Sequence, residues 1–244
     1  MQVDWTPLRS ALREARGQGR ALRFWWRDDD AIAPTPALER LEGIAHAANV
    51  PVHIAVIPAT ATPELAEVSI ASKVLVPVVH GWAHADTSAP EAKKSEFERN
   101  RSEAAGETAL GLARMQKLFG AALVPMFVPP WNRISEGLVA QLAAQGYRGL
   151  STFGPRGVEI LHGLHLVNTH VDPIFWRGNR GLADTSWLIE TAAAHIRSGS
   201  SEPLGLLTHH LVHTDDIWAF SARFIAEMQD GGALPFDLKS ALKN

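Results

Sequence analysis

The stretch FWWRDDDAIAPTPALERL, Phe24 to Leu41, decides how this chain is read. Its first part is apolar and aromatic, as a buried strand would be. From Thr35-Pro36 onward it changes to the spacing of a helix face, with Leu38 and Leu41 three residues apart. Between the two stand Asp28, Asp29 and Asp30. Adjacent like charges repel, and losing water makes the repulsion worse. The arrangement therefore predicts either a solvated turn or a cation held where a strand ends.

The same strand-then-helix unit recurs outward from this stretch. Strands are predicted over Leu22–Trp26, Val52–Ile57, Val74–Val79, Leu123–Val128, Gly149–Ser151, His165–Thr169 and Leu204–Leu207. Helices are predicted over Pro36–Ala48, Pro63–Ala71, Lys94–Phe119, Ser135–Gln145, Asp184–Arg197 and Asp215–Gln229. Such alternation reads as a parallel sheet with helices outside it, either closed into a barrel or left open. Both architectures bind ligands at the carboxyl ends of the strands. No repeat, low-complexity tract or linker interrupts the pattern, so residues 1–244 read as one domain, with 1–20 a helical extension at its start.

Composition narrows the classes further. The chain has 244 residues, 46% of them apolar, a net charge of -3 and no cysteine. That length supports a sizeable core, and mixed charge without a basic field argues against nucleic acid as a partner. Without thiolates, a metal has to use His, Asp or Glu; there are eleven histidines. Residues 1–26 carry no uninterrupted apolar leader. No window approaches the roughly 18 apolar residues of a membrane span. A cytoplasmic protein is the expectation.

Polar groups collect just beyond the predicted strands: Asp28 and Asp29 after the first, His80 and His84 after the third, and Pro129 to Arg133 after the fourth. His170 and Asp172 follow the sixth, and His209 and His210 the seventh. In HGWAH the two histidines are four residues apart, a spacing that brings both to one side of a helical turn and lets them grip one cation. A strand-end Asp would complete a His-His-Asp set with an open position, the catalytic kind of metal site.

In family order, these residues resemble the polysaccharide deacetylase (NodB homology) superfamily of carbohydrate esterases. Its strand-end Asp-Asp pair is matched by RDDDAIAPTPAL, its His-x-x-x-His by HGWAH, and its Arg-x-Pro-aromatic element partly by VPPWN. Asp172 with Trp176 looks like its fourth motif, and LTH, ending at His209, like its fifth. The resemblance implies an α/β fold, a distorted (β/α)7-type barrel, and metal-dependent hydrolysis of an N-acetyl amide on an amino sugar or glycoconjugate. It implies one divalent cation, zinc by preference, on Asp29, His80 and His84. Asp28 is then the base and His209 the acid, with Pro130, Trp131, Asn132, Asp172, Trp176 and His210 around the substrate. The alternative register makes Asp29 the base and Asp30 the ligand.

Two departures stand out. Val128 occupies the place of the Arg that holds the base in the family, a place Arg27 or Arg133 could fill, and His210 doubles the final His. Two other readings follow: an amidase of the same fold acting on a cyclic imide, ureide or other non-sugar amide, and a sugar-binding relative with a degenerate site. Eight tryptophans against one tyrosine, with Trp25, Trp82, Trp131 and Trp176 near strand ends, suit a wall for sugar rings.

Overall fold

The computed structural model describes residues 3–242. Its centre is β1 (Arg23–Ala31), flanked by β2 (Val52–Val56) and β8 (Leu204–Thr208), both parallel to it. From β2 the sheet continues through β3 (Leu75–His80), β4 (Met126–Val128), β5 (Gly149–Leu150) and β7 (Leu164–Leu166), and β6 (Ile160–Leu161) pairs antiparallel at the far edge. β9 (Leu234–Pro235) lies beside the start of β1. The chain beyond β7 bridges Phe153 to Thr169 and Val171 to Leu206, which curls the sheet back toward β8. The result is a single-domain, distorted (β/α)7-type barrel.

Strand alternation sorts the side chains into two layers. Phe24, Trp26, Ile54, Val79, Phe127 and Leu206 face outward and join the large core beneath the helices. Trp25, Ala55, Val78, Met126 and Val128 face inward, where Leu238 and Leu242 of the short helix α8 (Leu238–Ala241) and its end join them. The outer helices are α2 (Pro36–Ala48), α3 (Pro63–Ala71), α4 (Ala104–Phe119), α5 (Glu136–Gln145), α6 (Thr185–Arg197) and α7 (Asp215–Asp230). An N-terminal helix, α1 (Thr6–Gly17), packs on α6 and α7. Two of the three Thr-Pro pairs open a helix in the same way. Thr35 and Thr62 accept the amides of Leu38 and Leu65, and the following proline occupies the first turn, where its missing N–H costs nothing. No helix among the described residues is long and apolar enough to cross a membrane.

Three local departures from the expected elements shape the site. β1 runs on through all three aspartates, so they are strand residues rather than a turn after it. α4 begins at Ala104, not Lys94. The preceding residues are taken up elsewhere: Phe97 is buried and bridges to Ile134, and Ser95 Oγ accepts the amides of Phe97 and Glu98. HGWAH is a loop and not a helical turn, with Gly81 at φ 58° and His84 at φ 54°. β6, β9 and α8 are too short to leave a periodic signal.

One buried histidine gives the fold a pH dependence. His53 packs its ring edge against Trp25, and its Nδ1 lies 3.0 Å from the Trp26 carbonyl. Burial pushes its pKa down from 6.5 to about 4. The unfolded chain therefore takes up this proton first. Stability is complete above about pH 6.5 and falls as pH drops toward about 4, by roughly 3 kcal/mol from this group. Denaturant melts at pH 7 and pH 4.5 should show the loss. His53→Gln should make it smaller, with His213, also pushed down to about 4 by burial, keeping the rest. An unchanged pH slope in that variant would remove His53 as the cause.

Candidate metal and catalytic centre

Alternation along β1 points Arg27 and Asp29 into the barrel, and Trp26 and Asp28 outward. A bulge against β2 between Asp28 and Ala31 breaks the pattern, with Asp30 in the left-handed region at φ 76°. The break turns Asp30 toward β3. Its Oδ1 stands 3.1 Å from His80 Nε2 and 3.3 Å from His84 Nε2. His80 Nδ1 lies 3.0 Å from the Val128 carbonyl, an acceptor that fixes the ring and leaves Nε2 turned to Asp30. Burial alone would raise the Asp30 pKa, but the hydrogen bond and charge of His80 hold it well below the usual carboxylate range. Two imidazole nitrogens and a carboxylate oxygen, all within 4.8 Å of one another, form a donor set that fits a divalent cation.

The carboxylate at the two imidazoles is thus Asp30, where the Thr-Pro spacing points to Asp29. Asp29 is given instead to Arg27. The guanidinium Nε sits 2.8 Å from one Asp29 oxygen, and Nη2 donates to the other at 3.0 Å, with both residues buried. Arg27 also donates to Ser151 Oγ at 2.7 Å and to Asn132 Oδ1 at 2.7 Å. Among the described residues Arg133 instead donates to the Lys94 carbonyl. A guanidinium does lie against the Asp29 carboxylate, and it stands on β1, not at position 128. An Arg two residues before an Asp on one strand was the signal for this pair.

Asp28 lies on the other face, fully buried and closed off. It accepts from Thr208 Oγ at 2.6 Å and from the His210 amide at 3.0 Å, and faces His210 Nδ1 at 2.5 Å. Burial would raise its pKa; the His210 charge lowers it, and the same pair raises that of His210. These contacts fix the turn at the end of β8 that carries His209. The His209 ring meets the Trp176 indole edge-on at 4.8 Å, and Trp176 Nε1 donates to Asp172 Oδ2 at 2.7 Å. Burial lifts the Asp172 pKa, against the charge of His209. On the other side, Trp131 lies 4.3 Å from the His84 ring, in a loop where Trp131 and Asn132 are both left-handed, at φ 56° and 58°, after the buried Pro130. Asp30, His80, His84, Asp29 and His209 thus lie within reach of one another's charge, with one indole against His84 and the other against His209, and Asp28 and His210 on the opposite face of β1.

A second cluster, His170, His195 and Glu202, has comparable ligand spacing. The Gly205 amide donates to His170 Nδ1 at 3.0 Å, so that ring's proton must sit on Nε2, which faces Glu202 at 3.2 Å. A protonated nitrogen has no lone pair for a cation. Glu202 also takes the amides of Arg156 and Asn168, and the group works as a staple between loops.

No protein-family model matches the chain, and no curated protein matches it in sequence. Solved structures do resemble it. A putative polysaccharide deacetylase from Mycobacterium smegmatis aligns at 19% identity and TM-score 0.63 over 85% of this chain and 76% of its own. A peptidoglycan deacetylase from Bacillus subtilis aligns at 13% identity and TM-score 0.56, covering 91% and 92%. A family 4 acetyl xylan esterase from Clostridium thermocellum, solved with a cobalt ion, aligns at 14% and 0.52, covering 91% of each. The chain has the fold of the polysaccharide deacetylases of carbohydrate esterase family 4.

Proposed function

We propose that this chain is a metal-dependent deacetylase that hydrolyses the N-acetyl amide of an amino sugar or glycoconjugate. The observation that carries the reading is the meeting of Asp30, His80 and His84 beside an Arg-clamped Asp29 and a separate His209. In it, Asp30, His80 and His84 hold one divalent cation, zinc by preference. Such a cation polarises the acetyl carbonyl and eases ionisation of the attacking water.

The protein's own groups do the rest. Asp29 takes the proton of the attacking water, and Arg27 keeps its carboxylate aimed into the barrel. His209 gives a proton to the departing nitrogen, since an amine leaves poorly as an anion. Asp172 sets the charge beside His209, and Trp131 and Trp176 close the two sides with flat apolar faces suited to a sugar ring. Pro130 and Asn132 shape the loop that carries Trp131, and His210 backs the His209 turn instead of meeting substrate. Arg27 in the clamp supports a working site over a degenerate one.

Acetate release measured over a panel of N-acetylated sugars tests the reading, and no release from any of them would contradict it. The role of His209 has an internal control. His209→Ala should slow unactivated acetamides by about 10²–10⁴-fold, the usual worth of a placed acid. Aryl acetates, whose leaving group needs no proton, should lose far less. Equal losses on both substrates would take the acid role from His209.

A further inference from the structure

The histidine loop, residues 81–85, has neither helix nor strand to hold it, yet it must present His84 to the same point as His80. What holds it is a carboxylate from the chain 12 residues beyond His84. Glu96 is 1% exposed; its Oε1 accepts the Ala83 amide at 2.8 Å and its Oε2 the Trp82 amide at 3.2 Å, and the Ala85 amide also bears on it. Successive amides of a tight loop form a concave nest for an anion, and here the anion is a side chain of the same protein. The fit leaves no slack. A Cβ at Gly81, itself at φ 58°, would overlap both the Glu96 carboxylate and the Pro130 ring. His84 completes the loop in a left-handed conformation that a non-glycine residue adopts only when its surroundings impose it.

We infer that Glu96 is a positioning residue for the metal centre: its carboxylate, seated on the amides of Trp82 and Ala83, folds the loop so that His84 reaches the cation together with His80 and Asp30. The inference rests on the metal reading above. It also accounts for the irregular run before α4. Residues 95–98 cannot join the helix while Glu96 points back into the loop and Phe97 is pinned at Ile134. Glu96 touches neither substrate nor cation in this account, and acts only through His84.

The test is a cobalt(II) titration of the metal-stripped full chain, followed by absorbance, for wild type and Glu96→Gln. The amide side chain keeps the shape but offers one acceptor and turns an N–H toward loop amides. Affinity in the variant should fall about 10–100-fold, as for other groups that orient a ligand, and the cobalt d–d bands should change as His84 loosens. A wild type with no one-equivalent site overturns the metal reading itself. A wild-type site with unchanged affinity and spectrum in Glu96→Gln overturns only the role of Glu96. Should the variant not fold, wild-type amide exchange decides. The Trp82 and Ala83 amides, on a surface loop, should exchange slowly, and more slowly with cobalt bound. Fast exchange at both, with or without cobalt, overturns the inference.

Discussion

Asp29→Asn should lower acetate release about 10²–10⁴-fold while the protein keeps its cation, because it removes a proton acceptor and not a ligand. Asparagine preserves the shape and still accepts one of the two Arg27 N–H groups, while its NH2 faces the other. Asp28→Asn should do something different. That carboxylate has no route to substrate, since Thr208 and His210 close it on the outer face of β1. Removing one partner of a buried ion pair costs about 3–5 kcal/mol of stability. Asp29 sits in a buried pair with Arg27 as Asp28 does with His210, so both variants should melt below wild type. What separates them is that Asp28→Asn should lose, per folded molecule, much less turnover than Asp29→Asn. Kinetics and denaturant melts on the two variants side by side decide it. Turnover per folded molecule lost at Asp28 and kept at Asp29 would return the base to Asp28.

This contrast also shows what the sequence could and could not carry. The β/α alternation was legible because the apolar runs are long enough to show period. The strand-end rule named Asp28, Asp29, His80, His84, Pro129–Arg133, His170, Asp172, His209 and His210 from their positions alone. Of these, Asp28 and His210 pair with each other and His170 joins a separate cluster. The two histidines were read as a pair correctly by spacing and for the wrong reason, since a loop on Glu96 brings them together. Nothing near HGWAH signals Glu96, because the contacts join residues 13 and 14 apart across an irregular run. The triple Asp hid its own register. Three identical residues look the same in either frame, and the bulge that turns Asp30 carries no Gly or Pro to mark it. Only the partners across the barrel, Arg27 for Asp29 and the imidazoles for Asp30, separate their places. α4 was drawn ten residues too long because charged, mixed-sign sequence looks the same on a solvated helix and on a loop held by two buried side chains.

The central claim is that Asp30, His80 and His84 make one cation site, with Asp29 beside it and not in it. A three-donor site that loses its only carboxylate keeps two neutral imidazoles, too little charge to hold a divalent cation through purification. In this reading a cation held by Asp30, His80 and His84 would supply the carbonyl activation, so its loss should abolish turnover, not just reduce it. The most direct measurement is elemental analysis of protein purified without added metal, for wild type, Asp30→Ala and Asp29→Ala. The account predicts close to one equivalent in wild type and in Asp29→Ala, and close to none in Asp30→Ala. An emptied Asp29→Ala beside a fully loaded Asp30→Ala would contradict it.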